Sequence, residues 1–79
     1  MYTEADMQKL ARALGRKVRE QRLVVGISQD ALAFACQMDR SYIGRIERGE
    51  VNLTIEKLYR IANELECTPQ SLLPTDLRD

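Results

Sequence analysis

The chain has no histidine and no tryptophan, and only two cysteines and two prolines among 79 residues. Each shortage removes a class of function. Histidine is the side chain that ordinarily titrates near neutral pH, so the commonest general base and the commonest zinc ligand are both missing. Two cysteines, Cys36 and Cys67, cannot by themselves close a tetrahedral zinc site. A serine nucleophile would have no histidine to activate it, and no glycine-rich phosphate loop is present. Enzymatic activity, a metal, a cofactor and a small-molecule ligand are therefore not expected. No apolar run approaches the roughly 18 residues that span a bilayer, and the N-terminus carries no signal-peptide pattern. The expectation is a cytoplasmic protein without a membrane partner, its two thiols buried rather than bridged.

The length suits one domain, residues 1–79, close to the lower size at which a chain buries enough surface to fold alone. Its net charge is zero, but the charges are unevenly placed. Between Lys9 and Arg48 there are nine basic residues against four acidic ones, while both flanks are acidic. A neutral average thus conceals a basic segment, and a basic face attracts phosphates. Charge blocks are also common on plain solvated helix faces, so this feature alone decides nothing.

Apolar spacing predicts helices throughout. Leu10, Leu14 and Val18, with Met7 and Ala11 beside them, mark one stripe of a helix from about Asp6 to Val24, stopped by Gly26. Ser28 is placed to cap a short helix, QDALAFAC, with Leu32, Ala33 and Cys36 inward. After a break at Gln37-Met38, Asp39 is expected to cap a third helix from Arg40 to about Arg48, with Ile43 and Ile46 on its inner face and Gly49 at its end. Thr54 caps a fourth, Ile55 to about Glu66, whose stripe is Ile55, Leu58, Ile61, Ala62 and Leu65. Thr68-Pro69 starts a short fifth helix through Leu72 and Leu73, broken at Pro74. The fold class is all-α with five helices. The second and third are joined so tightly that they must cross steeply, as in a helix-turn-helix at about residues 28–48.

The segment SQDALAFACQMDRSYIGRIERG resembles the helix-turn-helix of the Cro/repressor-like (XRE) regulators, and the likeness runs from LGRKVREQRLVVGISQ to NLTIEKLYRIANELECTPQSLL. Leu32, Cys36, Met38, Ile43 and Ile46 match the family's apolar template, and Ala33 sits where the two helices approach most closely. Gln37 stands where the family's turn usually carries glycine, a left-handed position that costs another residue roughly 1 kcal/mol. Within the family, DRSYI, IERGE and the following N-x-T-I are especially similar to the controller proteins of restriction–modification systems. The resemblance implies a homodimer that binds double-stranded DNA at a palindromic operator and regulates transcription. Phage or plasmid repressors and antitoxins share the module. A protein-interaction domain that kept the fold without the DNA contact is the alternative from another class.

In such a motif the second helix enters the major groove and its first turn reaches base edges. The resemblance therefore implies base-reading roles for Arg40, Ser41, Tyr42 and Arg45. Arginine can bond guanine bidentately, and Tyr42 can pack on a thymine methyl or a sugar. Gly44 would let the helix sit close to DNA. Gln29, Arg48, Asn52 and Arg19 are expected at the phosphate backbone, with Gln29 also able to brace the reading residues. For each of these the competing possibility is an ordinary polar helix face. The resemblance further implies a structural ion pair between Arg22 and Glu47. Leu72, Leu73 and Leu77 are expected to form a two-fold interface, the alternative being packing under the first helix.

Overall fold

The computed structural model describes residues 1–75, which form five α-helices and no strand. The helices are α1, Glu4–Val25; α2, Gln29–Cys36; α3, Arg40–Glu47; α4, Ile55–Glu64; and α5, Pro69–Leu72. Helix α1 begins before Asp6 because Thr3 and Asp6 form a reciprocal capping box. The Asp6 amide donates to Thr3 Oγ1 at 3.1 Å, and the Thr3 amide donates to Asp6 Oδ2 at 2.9 Å. Gly26, at φ 86°, closes the helix by donating its amide to the Arg22 carbonyl. Ser28, Thr54 and Thr68 each accept an amide of the first turn that follows, from Ala31, Lys57 and Ser71. Asp39 does not: it has the extended backbone of a cap, but its side chain makes no capping hydrogen bond.

Two helices end in a left-handed residue that is not glycine. Gln37 has φ 59°, and the chain wraps around it with bonds from the Gln37 amide to the Phe34 carbonyl and from the Met38 amide to the Ala33 carbonyl. Glu66, at φ 58°, is framed in the same way by Glu66→Asn63 and Cys67→Ala62 bonds. This second closure explains why α4 stops at Glu64 rather than Glu66. Gln21 Nε2 adds a bond to the Leu65 carbonyl at 2.9 Å, which ties the end of α4 to α1.

One apolar cluster joins all five helices: Val18 from α1, Leu32, Ala33 and Cys36 from α2, Ile43 and Ile46 from α3, Leu58, Ile61 and Ala62 from α4 with Leu65 just beyond it, and Leu72 from α5. Leu10 and Leu14 are half-buried, and Met38 packs against the cluster's edge. Two expectations need correction. Ile55 is 75% exposed, because it opens α4 before the helix reaches the core. Leu72 is 1% exposed: α5 lies against both α1 and α4, so this leucine fills the protomer's own core and is not free for a partner. Leu73 stays exposed, and Leu77 lies outside the described residues. Cys36 is buried and Cys67 half-buried, both as free thiols, and burial pushes the Cys36 thiol up from its ordinary value.

Helix α3 is seated on α1 by two glycines. A methyl at Gly15 would run into the Ile46 and Glu47 backbone carbonyls, the latter at 2.7 Å. A methyl at Gly49 would meet the Arg12 Cα at 2.6 Å. Contact this close is possible only without a side chain, and it fixes how far α3 stands from α1.

Candidate nucleic-acid interface

At 3.6 residues per turn, Arg40, Gly44, Arg48, Ser41 and Arg45 fall on one arc of roughly 140° along α3 and its cap. Ile43 and Ile46 occupy the opposite side and are buried. Helical geometry alone therefore separates an outward polar arc from an inward apolar one. In the folded protein Gln29, Arg40, Ser41, Gly44, Arg45 and Arg48 line a single shallow depression. Gly44 forms its floor, with the Arg48 guanidinium lying over it: an added methyl there would meet Arg48 Nη1 at 3.0 Å and no backbone atom.

Not every expected residue reaches this depression. Tyr42 stands outside the arc and is turned toward α4, packed against the edge of the core. Its hydroxyl accepts from Lys57 Nζ at 3.4 Å, and the same ammonium lies 4.4 Å from the ring centroid. Asn52 lies in a neighbouring concavity with Arg12, Gly49 and Glu50, and Arg48 borders both. Arg19 is exposed on α1 and lines neither.

The arc is held in place from behind. Arg22 Nε donates to Glu47 Oε2 at 2.7 Å and Arg22 Nη2 to Glu47 Oε1 at 3.1 Å, while Arg22 Nη1 donates to the Ile27 carbonyl. Gln29 Nε2 donates to the same Glu47 Oε1 at 3.0 Å. One carboxylate thus links α1, α2 and α3. The Glu47 hydrogen bond raises the Arg22 pKa against the opposing cost of burial, so this guanidinium stays charged. The amide nitrogen of Gln29 is engaged as a brace, although the residue also borders the depression.

Sequence reasoning overlooked three residues here. Arg12 shares the Asn52 concavity, and only the packing of Gly49 on α1 brings it there. Asp30 pairs with Arg40, Oδ1 to Nε at 2.9 Å, across the turn between α2 and α3. Glu50 pairs with Arg48 Nε at 2.9 Å and approaches Arg45 Nε at 4.0 Å. The Arg48 hydrogen bond holds the Glu50 carboxyl below its ordinary value, and Glu50 in turn raises Arg48. The sequence RGE, in which Glu50 follows Arg48 by two residues, was the available signal for Glu50.

Comparison with known proteins agrees with this geometry. The helix-turn-helix family model matches residues 18–72. Control protein C.BamHI of Bacillus amyloliquefaciens is 42% identical over 60 residues, covering 75% of this chain and 74% of the relative. The crystal structure of the restriction-modification controller protein C.AhdI from Aeromonas hydrophila superposes with a TM-score of 0.75 at 38% identity, over 87% of this chain and 98% of that one. The DNA-binding domain of BldD gives a TM-score of 0.76 at 29% identity, over 85% and 97% of the two chains.

Proposed function

The chain belongs to the helix-turn-helix family and is a DNA-binding regulator resembling the restriction-modification controller proteins; from that premise we propose that it acts in the cytoplasm as a homodimer on a palindromic operator. The observation that carries this reading is the depression on the outer arc of α3, where Arg40, Ser41 and Arg45 stand together over a glycine floor. Arg40 and Arg45 read guanine edges through bidentate hydrogen bonds, and Ser41 contacts a base or phosphate beside them. Gly44 lets the groove wall come close. Arg48 and Asn52 at the end of the helix hold the phosphate backbone, and Gln29 braces α3 through Glu47. Tyr42, positioned by Lys57, reaches at most a sugar or thymine methyl at the rim.

Two-fold association supplies the second reading head. With Leu72 enclosed in the core, we assign it to Ile55 and Tyr59, which share one face of α4, together with Leu73, three of the exposed apolar residues. A symmetric pair would set two α3 helices about one DNA turn apart. No helix among the described residues is long and apolar enough to cross a membrane.

Titration of substituted proteins against a duplex selected from a randomised pool tests the reading. Arg40→Ala is expected to cost about 1–3 kcal/mol and to relax preference at one symmetric pair of positions. Arg48→Ala weakens all sequences alike and lowers the salt slope by about one per subunit. Unchanged sequence preference in Arg40→Ala would show that the reading head lies elsewhere. Sedimentation of the unmodified protein and of Tyr59→Glu is expected to give dimer and monomer respectively at micromolar concentration.

A further inference from the structure

Two arginines of the depression are paired with a carboxylate in the free protein, Arg40 with Asp30 and Arg48 with Glu50, each at 2.9 Å, while Arg45 stands 4.0 Å from Glu50. These pairs are exposed, with side-chain exposures of 70% and 71% for Arg40 and Asp30 and 60% and 50% for Arg48 and Glu50. Exposed ion pairs contribute little to folding. Their placement matters for binding instead, because two negative charges sit beside the three positive ones that meet DNA.

We propose that Asp30 is a specificity-determining residue, which restrains Arg40 from binding phosphate indiscriminately and so widens the gap between operator and random DNA. The inference rests on the DNA-reading role of α3. Binding to random duplex is almost wholly phosphate contact, and its strength follows the number of phosphates neutralised. A carboxylate bonded to an arginine competes with phosphate for the same donors and repels the DNA backbone within a Debye length of about 10 Å. At the operator the contest differs. Guanine O6 and N7 together offer an arginine two uncharged acceptors in one plane, so Arg40 can leave Asp30 for a partner that random DNA does not supply in register, whereas Arg48, assigned to phosphate on any duplex, gains no such exchange for Glu50. An arginine committed to guanine is unavailable to phosphate, so removing its carboxylate adds little there. On random DNA the same removal frees a phosphate-binding cation.

Asp30→Asn and the charge-retaining Asp30→Glu test this in full-length protein, with unfolding midpoints confirming intact folds. Each is titrated on a random-sequence duplex and on the duplex selected by the unmodified protein, over a series of salt concentrations. Asp30→Asn is expected to bind random duplex about three- to tenfold more tightly, with a salt slope steeper by about one per subunit, and to gain less than about threefold on the selected duplex. Asp30→Glu should stay near the unmodified protein. Unchanged affinity for random duplex, or equal gains on both duplexes, would overturn the proposal while leaving the DNA-reading role intact. An unmodified protein that binds no duplex would overturn both.

Discussion

Arg22 and Glu47 meet at 2.7 Å, Nε to Oε2, with their side chains 10% and 3% exposed. The pair spans α1 and α3, and Glu47 also receives the Gln29 amide of α2. Arg40 and Arg45 of α3 point outward; Glu47 points back into the fold and joins α1 to the two helices of the motif. Glu47→Gln would leave the Arg22 charge enclosed without a counter-ion, and is expected to cost about 3 kcal/mol in urea unfolding. Adding Arg22→Met should recover a large part of that loss, since the unpaired charge is then gone. Equal costs for the single and double variants would show that the pair acts only by packing.

Gly15 and Gly44 make opposite predictions for one substitution. Gly15→Ala forces a methyl onto the backbone of Ile46 and Glu47, so α3 must move off α1, at a cost of about 1–3 kcal/mol. Gly44→Ala meets only the end of the flexible Arg48 side chain. Alanine is the better helix former, so stability should stay level or rise by up to about 1 kcal/mol. DNA affinity should nevertheless fall, because the added methyl stands on the floor of the depression that we propose faces the groove. Thermal unfolding and duplex titration of the two variants separate packing from contact.

At Gln37 the left-handed backbone, φ 59° and ψ 43°, crowds a Cβ that glycine would not have. Relief of about 1–2 kcal/mol of strain is opposed by about 0.5–1 kcal/mol of unfolded-chain entropy. Gln37→Gly is therefore expected to raise the urea midpoint modestly, by up to about 1 kcal/mol in stability, with duplex affinity within about threefold. A loss of stability greater than 1 kcal/mol would mean that the glutamine side chain stabilises the turn by more than its strain costs.

The start of α1 should respond to acid. The Thr3 backbone amide holds the Asp6 carboxyl below its ordinary value, with smaller help from the Thr3 hydroxyl and Lys9. A carboxyl lowered on folding contributes stability that is present above its unfolded value and is lost as pH falls through its folded one. Acidification across that window is expected to fray the first turn of α1, seen as loss of amide protection at Asp6 and Met7. Asp6→Asn should abolish that pH dependence.

Much of this protein is decided by short stretches of its chain. Ser28, Thr54, Thr68 and Gly26 act on amides and carbonyls within one turn, and the stripe Leu58, Ile61, Ala62 and Leu65 follows from a single helical period. Local rules therefore define the five helices, and the arc that gathers Arg40, Ser41, Gly44, Arg45 and Arg48 on one side of α3. Other features depend on where separate helices meet. Leu72 and Leu73 are adjacent and chemically identical, yet only the position of α5 against α1 and α4 encloses one and exposes the other. Ile55 fits the apolar period of α4 but precedes the point at which the helix reaches the core. Tyr42 leaves the outer arc of α3 for Lys57, and Asp30 of α2 closes on Arg40 of α3. Periodicity specifies which face of a helix is apolar; it does not specify what the neighbouring helices cover. That coverage is a property of tertiary packing, and it determines which charges remain at the surface.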